Sequence, residues 1–249
     1  MMTPSYPNSQ SNHEHNGDWL SQAMALACAL ALIGCGNDGD TTNGGNSGGE
    51  DNTAAIGEKM TALGSGSDED KANALNFLAD QGEAGKAAKD NAIELLKSEN
   101  LSVRSAAVDY LAKQAINTPE AAAGLSSLAT GEADETVMSN ALNALATIGA
   151  TDKHVEICKA LLGNDDERKR GYAAMSLGAA GENAAGAQAE LIKGLDDKEP
   201  YVQTACAIAI GGLGAKASAD AKAKLESLTS SSDADLAKAA KDALANINK

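Results

Sequence analysis

The stretch Val103–Ala115, "VRSAAVDYLAKQA", decides the fold because related stretches follow it at nearly constant intervals. The later copies read "VMSNALNALATIG", "KRGYAAMSLGAAG", "VQTACAIAIGGLG" and "LAKAAKDALANIN". Each has small residues near its centre and an aliphatic residue four or five places later, which is Leu111 in the first copy. Self-similarity at a fixed spacing predicts a repeat protein.

Two series of aliphatic residues share one period. The first series is Leu78, Leu111, Leu145, Leu177, Ile210 and Leu244, at intervals of 33, 34, 32, 33 and 34 residues. The second series lies between them and is Leu63, Leu96, Leu128, Leu162, Leu195 and Leu228, at intervals of 33, 32, 34, 33 and 33. Two independent series with one period predict a repeating unit that contains two elements.

Both elements are predicted to be helices. Ala106, Ala107, Tyr110 and Leu111 have the spacing of one helical face. Acidic and Ser/Asn clusters precede the first element of each repeat, where such side chains cap free backbone N–H groups. Glycines follow four of the first-series anchors by four residues and suit left-handed C-caps: Gly82, Gly149, Gly181 and Gly214.

The composition favours small-residue helices over a sheet. The chain of 249 residues is 43% hydrophobic but only 2% aromatic, so alanine and leucine must form the core. A formal net charge of −15 argues against nucleic acid as a partner, because phosphate binding requires clustered lysine and arginine. The predicted fold class is all-α: an α-α superhelix of about six helix pairs over residues 53–249.

The repeat resembles the HEAT repeat, particularly its short bacterial form. The motif of an aliphatic–Arg pair, small residues and then leucine is present as Val103–Arg104, Ala106–Ala107 and Leu111. A weaker copy is Val137–Met138, Ala141, Leu145 and Gly149. Tetratricopeptide and ankyrin landmarks are absent. The resemblance implies a HEAT/armadillo-like solenoid, which is a scaffold of stacked helix pairs in which each repeat contacts its neighbours.

The N-terminal region resembles that of a bacterial lipoprotein. The polar residues 1–19 precede the apolar run "LSQAMALACALALIG" at 20–34, which fits a signal-peptide core. The run ends in Leu32, Ile33, Gly34 and Cys35, which is similar to a lipobox. The resemblance implies a disordered leader and signal peptide at 1–34, cleavage before Cys35, and lipid attachment to its thiol. The alternative is that residues 20–34 form a buried helix and that Cys35 is inert.

The residues after Cys35 favour attachment. Residues 36–52, "GNDGDTTNGGNSGGEDN", contain no apolar side chain and predict a flexible tether over 35–52. We therefore expect a lipid-anchored protein of the bacterial cell envelope, at the outer membrane or the periplasmic face if the host has two membranes. A cytoplasmic protein with a misassigned leader remains the other possibility.

Few residues after Cys35 suggest catalysis. His154 is predicted to be a surface or capping histidine, and no second histidine accompanies it to form a metal site. Cys158 and Cys206 lie two repeats apart, too far for a disulfide, and Cys206 takes a small-residue position that predicts burial. No cofactor or metal is expected.

One helical position suggests a partner-binding face. Arg104, Met138, Arg170 and Gln203 occupy equivalent repeat positions and are expected to stack along one face, with Tyr110 and Tyr172 as further contact candidates. The competing interpretation is structural, because the HEAT resemblance implies that arginine at this position bonds to neighbouring acidic groups.

The acidic clusters have two interpretations as well. They either cap helices and aid solubility, or they align into one negative ridge that attracts a basic partner or holds Ca²⁺ weakly. The ridge would comprise Asp68, Glu69, Asp134, Glu135, Asp165, Asp166, Asp196, Asp197, Asp233 and Asp235.

The predicted function is a membrane-anchored, non-catalytic scaffold, monomeric, that binds an unidentified protein or peptide. The alternative is an enzyme or enzyme accessory of the HEAT-like lyase type.

Overall fold

The computed structural model describes the backbone of residues 49–149 and 151–249, with side chains from Asn52 onward. The predictions for Leu32, Ile33, Gly34 and Cys35 lie outside the described residues, as do the predicted leader and most of the predicted tether. The boundary of the tether differs from the sequence prediction, because the first described helix begins at Gly49 rather than at Thr53.

The described residues form helices of two alternating series and contain no strand. The first-series helices, which carry the first set of aliphatic anchors, are α2 (Asp68–Ala79), α4 (Leu101–Lys113), α6 (Glu135–Thr147), α8 (Glu167–Ala180), α10 (Pro200–Gly212) and α12 (Ala234–Ile247). The second-series helices are α1 (Gly49–Ser65), α3 (Lys89–Leu95), α5 (Pro119–Gly131), α7 (Thr151–Leu161), α9 (Gln188–Gly194) and α11 (Ala219–Leu228).

Some second-series helices begin with tighter turns. A one-turn helix, Gly82–Gly85, and a 3-10 turn, Lys86–Ala88, lead into α3. A 3-10 segment, Gly181–Ala187, leads into α9, and a short one, Gly214–Lys216, precedes α11.

Each helix packs mainly against its neighbours in the array. Consecutive first-series helices contact each other from α2 to α12, and α3, α5 and α7 do the same in the second series. Five first–second pairs, α2–α3 to α10–α11, lie between the single helices α1 and α12. The predicted all-α solenoid is confirmed.

The core consists of leucine and alanine from both series. Leu78, Leu111, Leu145, Leu177 and Ile210 are all fully buried. Glycine lets α10 approach α12, because a Cβ on Gly211 would lie 2.8 Å from Cα of Ala243. None of the described helices combines the length and the hydropathy that crossing a membrane requires.

Helix ends follow the predicted capping chemistry. Asp134, Asp166 and Asp233 accept hydrogen bonds from backbone N–H groups of the first turns of α6, α8 and α12. Positive φ angles occur at the four predicted glycines: Gly82, Gly149, Gly181 and Gly214. Ala115 takes the equivalent position after α4 with a φ of 49°.

Candidate functional site

An open groove of about 640 Å³ lies over the first-series helices α2, α4 and α6. Its charged lining consists of four carboxylates, Asp68, Glu69, Asp109 and Asp134, and the lining described by the structure includes no lysine or arginine. The other polar lining residues carry amides or hydroxyls: Asn73, Asn76, Asn100, Ser102, Ser105 and Thr136. The groove is therefore an acidic, hydrogen-bonding surface that spans three helix pairs.

The repeat brings the groove residues onto one face. Asn76 and Asp109 line the groove and each precede a first-series anchor by two residues, so they occupy equivalent positions on α2 and α4. Asn143 has the same position on α6, but it lies outside the groove lining and accepts a hydrogen bond from Ser176. Asp109 is exposed at the surface, but the groove walls partly desolvate its carboxylate and raise its pKa, while the charge of Lys113 lowers it in part. Leu101, at the start of α4, adds an apolar contact because 43% of its surface is exposed.

This face was not predicted from the sequence. Asn73, Asn76, Ser105 and Asp109 were not among the predicted site residues, although the recurrence of Asn, Asp and Asn two places before successive anchors was a readable signal. Contact surfaces are commonly rich in large aromatic and basic residues, and this polar groove contains none of them among its lining residues.

The residues of the predicted acidic ridge have different roles in the structure. Asp68, Glu69 and Asp134 line the groove, although Asp134 also caps α6 through Oδ1, which accepts from the N–H groups of Thr136 and Val137 at 3.0 Å. Other members are used elsewhere, since Asp196 pairs with Lys224 and Asp197 with Arg170. The capping interpretation is thus confirmed for Asp134, Asp166 and Asp233.

Two of the predicted contact arginines connect loops of the array. Arg104 on α4 donates from Nε and Nη2 to the carboxylate of Glu132 at 2.6 and 3.1 Å, and from Nη1 to the backbone oxygens of Ser98 and Glu99. Glu132 precedes α6, whereas Ser98 and Glu99 precede α4. We call this arrangement an inter-loop bridge.

A second inter-loop bridge is centred on Arg170. Its Nε and Nη2 donate to Asp197 at 2.7 and 2.9 Å, and its Nη1 donates to the backbone oxygens of Asn164 and Asp165. Burial opposes ionisation of Asp197, but the hydrogen bond from Arg170 and the N–H of Glu199 bring its pKa below the ordinary value. The pKa of Glu132 is lowered in the same way by Arg104 and by backbone N–H groups. The structural interpretation of these arginines is confirmed.

The predicted partner-binding face needs correction. Tyr110, Met138 and Arg170 are buried, at 0%, 1% and 6% exposure, so they offer no surface to a partner. Tyr110 instead donates its hydroxyl proton to the backbone oxygen of Gly85 at 2.6 Å, and burial raises its pKa to about 12. The equivalent position therefore faces the neighbouring repeat.

The remaining members of that face are partly exposed. Arg104 is engaged by Glu132, and Gln203 donates to the backbone oxygen of Asp197 at 2.5 Å. Tyr172 lies beside Glu135, which also pairs with Arg168. A role for Arg104, Tyr172 and Gln203 in partner binding stays a prediction.

His154 is buried, and the expectation of a surface or capping histidine is wrong. Its Nε2 lies 2.8 Å from Oγ of Ser176 and 3.4 Å from Sγ of Cys158. Burial lowers the pKa of His154 to about 4. The sequence could not show this burial, because one polar residue near a helix start does not reveal the side it faces.

Cys206 is buried, as its small-residue position predicts. Cys158 and Cys206 are free and buried, and burial raises the pKa of each thiol to about 12. Within residues 49–149 and 151–249, no three His, Cys, Asp or Glu side chains are grouped as a metal site requires.

Comparison with known proteins places the chain in a family. A family model described as HEAT repeats matches residues 60–146 and 155–245, which is most of the chain. The protein belongs to the HEAT-repeat family. No curated protein matches this HEAT-repeat chain significantly.

Solved structures with similar folds include both engineered and natural repeat proteins. An engineered protein is 25% identical, with a TM-score of 0.52, over 78% of this chain and 96% of its own. A designed armadillo repeat protein in complex with the peptide (KR)4 is 21% identical, with a TM-score of 0.54, over 78% and 99%. The complex of CpcE and CpcF of phycocyanin lyase from Nostoc sp. PCC7120 is 28% identical, with a TM-score of 0.50, over 64% of each chain.

Proposed function

We propose that this HEAT-repeat protein is a non-catalytic scaffold, anchored to a bacterial envelope membrane through Cys35, that binds a basic segment of a partner protein in the groove over α2, α4 and α6. The groove is the observation that carries the binding part of the proposal. The anchoring part rests on the sequence Leu32–Cys35.

The charge of the groove selects its partner. Four carboxylates without a lining lysine or arginine attract a positively charged segment, in a chain whose net charge is already −15. The amides of Asn73 and Asn76 can both donate and accept hydrogen bonds, which suits the backbone of an extended peptide. Leu101 can contact the aliphatic stem of a bound lysine or arginine.

The chemistry of the described nucleophiles supports a scaffold over an enzyme. Catalysis by cysteine requires an accessible thiolate. Cys158 and Cys206 are buried thiols whose pKa burial raises to about 12, and His154 is enclosed between helices. None of the three is part of the groove lining.

The anchoring proposal is supported by the composition on both sides of Cys35. An apolar run ends at Gly34, and residues 36–48 consist of Gly, Asn, Asp, Ser and Thr. Such a sequence suits a tether that connects a lipid-modified cysteine to α1.

Groove binding can be tested with the peptide (KR)4 as a fluorescent probe. We expect binding that weakens as salt concentration rises, and about a threefold loss of affinity in Asp109→Asn. Asparagine already occupies the equivalent positions 76 and 143, so this change should preserve the fold. Asp152→Asn, on α7 outside the groove lining, is the matched control. Equal affinities of the two variants would contradict groove binding.

Anchoring can be tested by metabolic labelling with a fatty-acid analogue. Cys35→Ser should abolish the label and release the protein from membranes. Cys28→Ser is the matched control, because residue 28 lies in the predicted signal peptide and the change should leave labelling intact. Label that persists in Cys35→Ser would refute the anchor and leave the groove proposal standing.

A second candidate is an enzyme or enzyme accessory of the HEAT-like lyase type. It is favoured by the 28% identity to the CpcE and CpcF complex. Addition of phycocyanobilin to the purified protein, followed by absorption spectroscopy, tests it. A shifted chromophore band that survives gel filtration would support this candidate.

A further inference from the structure

His154 and Cys158 differ from the buried residues that three of the other second-series helices share. These three helices bury an alanine and, one turn later, a leucine: Ala121/Leu125, Ala187/Leu191 and Ala221/Leu225. All six of those side chains are fully buried, and so are His154 and Cys158. A larger residue replaces alanine and a smaller one replaces leucine, so the site stays filled while it becomes polar.

The imidazole joins three helices from two neighbouring pairs. His154 on α7 contacts Ser176 on α8, and Ser176 donates its hydroxyl proton to Oδ1 of Asn143 on α6 at 3.2 Å. Because that hydroxyl proton is used, Oγ of Ser176 accepts from His154, which assigns the proton of the neutral imidazole to Nε2. The chain His154–Ser176–Asn143 therefore holds the pair α6–α7 against α8.

The other ring nitrogen has no partner. Nδ1 of His154 is buried and makes no hydrogen bond in the structure. As a bare acceptor it is tolerated, but a proton there would create a buried donor without an acceptor and a buried positive charge. We call the contact between α7 and α8 around His154 the joint. Protonation of His154 while the joint is closed is strongly unfavourable, whereas exposure of the ring to water removes both penalties.

Among the described residues, no neighbouring charge offsets this penalty. On α7 the titratable neighbour is Cys158, whose thiol stays neutral. The elements packed against α7 are α5, α6, α8 and the segment Gly181–Ala187. The charged residues of α6 and α8 lie in their first turns, at the opposite ends from Asn143 and Ser176: Glu135, Glu167, Arg168, Lys169 and Arg170. Glu120 of α5 and Glu182 of the segment are exposed.

The charged residues of α7 itself are exposed or form ion pairs. Asp152 is exposed, Lys153 pairs with Glu156, and Lys159 pairs with Glu190 of α9. Glu190 has one buried carboxylate oxygen, Oε2, without a hydrogen bond, but its other oxygen pairs with Lys159. Burial, and no charged group among the described residues, lowers the pKa of His154.

The pair α6–α7 also lacks an inter-loop bridge. Arg104 bridges the loops on either side of pair α4–α5, and Arg170 bridges those on either side of pair α8–α9. The equivalent residue of α6 is Met138, which is buried and has no guanidinium. Of the pairs α4–α5, α6–α7 and α8–α9, the pair that contains His154 is therefore the one without an arginine bridge.

We propose that His154 makes the array acid-sensitive: proton uptake by its imidazole opens the joint between α7 and α8. Each helix pair contacts only its neighbours, so opening one joint separates the array into two parts that can each remain folded. The groove over α2, α4 and α6 lies entirely on the N-terminal side of this joint. The proposal does not depend on what the groove binds.

The sign and the pH window follow from linkage. Above the ordinary histidine pKa of 6.5, the open and closed forms are both neutral and pH has no effect. Between 6.5 and about 4 only the open form takes up the proton, so the opening constant rises about tenfold per pH unit. Below about 4 both forms are protonated and the effect is complete.

Hydrogen-exchange mass spectrometry on the full chain tests the switch. Protection factors, which compare each amide with an unstructured peptide at the same pH, should fall in α7 and α8 as pH falls from 6.5 to 4. The variant His154→Ala/Cys158→Leu introduces the alanine and leucine found in α5, α9 and α11, and it should lose this dependence. Peptides from α11 and α12 report on changes elsewhere in the array. The same pH dependence in the variant and the wild type would overturn the proposal.

NMR titration of the wild-type imidazole gives an independent readout if the double variant does not fold. The proposal requires that the His154 signal titrate together with the loss of protection in α7 and α8. A His154 signal that titrates near 6.5 while protection is retained would overturn it.

Discussion

Arg170 donates in parallel from Nε and Nη2 to the two carboxylate oxygens of Asp197, at 2.7 and 2.9 Å, across 27 residues of sequence. Both side chains are largely buried, at 7% and 11% exposure. Two parallel hydrogen bonds in a water-poor site fix the orientation of both groups. The loops before α8 and before α10 are therefore connected by one side chain.

Removing Arg170 should be more damaging than removing the pair. Arg170→Met, which copies Met138, leaves the Asp197 carboxylate buried without its cation and should cost about 3 kcal/mol in the free energy of unfolding. Arg170→Met/Asp197→Asn removes the charge but keeps an acceptor for the N–H of Glu199, and it should recover at least half of that loss. Urea denaturation measures both. A double variant as unstable as the single one would contradict the argument.

The two bridges predict a loss of stability in strong acid. The folded pKa values of Glu132 and Asp197 lie below their ordinary values, so the folded state holds fewer protons than the unfolded state. The stabilisation is complete above the ordinary values and is lost as pH falls below about 4. Urea midpoints at several pH values should show this loss in the wild type and a smaller one in Arg104→Met/Glu132→Gln. This pH range lies below the range, from 6.5 to about 4, in which His154 is expected to act.

Ala115→Gly should stabilise the protein. Ala115 has a φ of 49°, a left-handed conformation that Gly82, Gly149, Gly181 and Gly214 adopt at the equivalent position. The strain on a Cβ in this region exceeds the extra chain entropy of glycine, so a gain of about 1 kcal/mol is expected. Ala112→Gly, inside α4, is the control and should cost about 1 kcal/mol. Thermal unfolding of both variants checks the signs, and a destabilised Ala115→Gly would refute the strain argument.

Two glycine-to-alanine changes should have opposite effects. A Cβ on Gly211 would lie 2.8 Å from Cα and 2.9 Å from Cβ of Ala243, so Gly211→Ala must push α10 away from α12 and should cost about 2 kcal/mol. Gly57 is exposed inside α1 with no atom near its missing Cβ, so Gly57→Ala should add about 0.5–1 kcal/mol. Urea denaturation compares the two, and equal shifts would show that close packing is not the cause.

The fold could be predicted because its determinants repeat. Leu111 and Gly149 each belong to a recurring set, and recurrence averages out the ambiguity of any single residue. The caps were predictable for the same reason, since Asp134 and Asp166 stand at equivalent helix starts. The 3-10 segments before α3 and α9 were not predicted, because alanine and glycine are compatible with either helix type.

The site was harder to predict because it depends on exposure. Met138 and Tyr110 are residue types that are common in contact surfaces, yet both are buried between neighbouring repeats. A series of equivalent positions shows that residues share a face but not whether that face meets solvent or another helix. Asp109 and Asn76 were overlooked for the converse reason, since exposed polar residues on a helix are common unless the neighbouring helices form a groove around them.

The inter-loop bridges recur after two helix pairs rather than one, since 170 − 104 = 66 residues while the anchors repeat every 33 or so. The building block that preserves the bridging pattern is thus a double unit. Lengthening or shortening the protein by a single pair would bring two bridged pairs, or two unbridged ones, side by side. An engineer who extends this array should therefore insert 66 residues at a time.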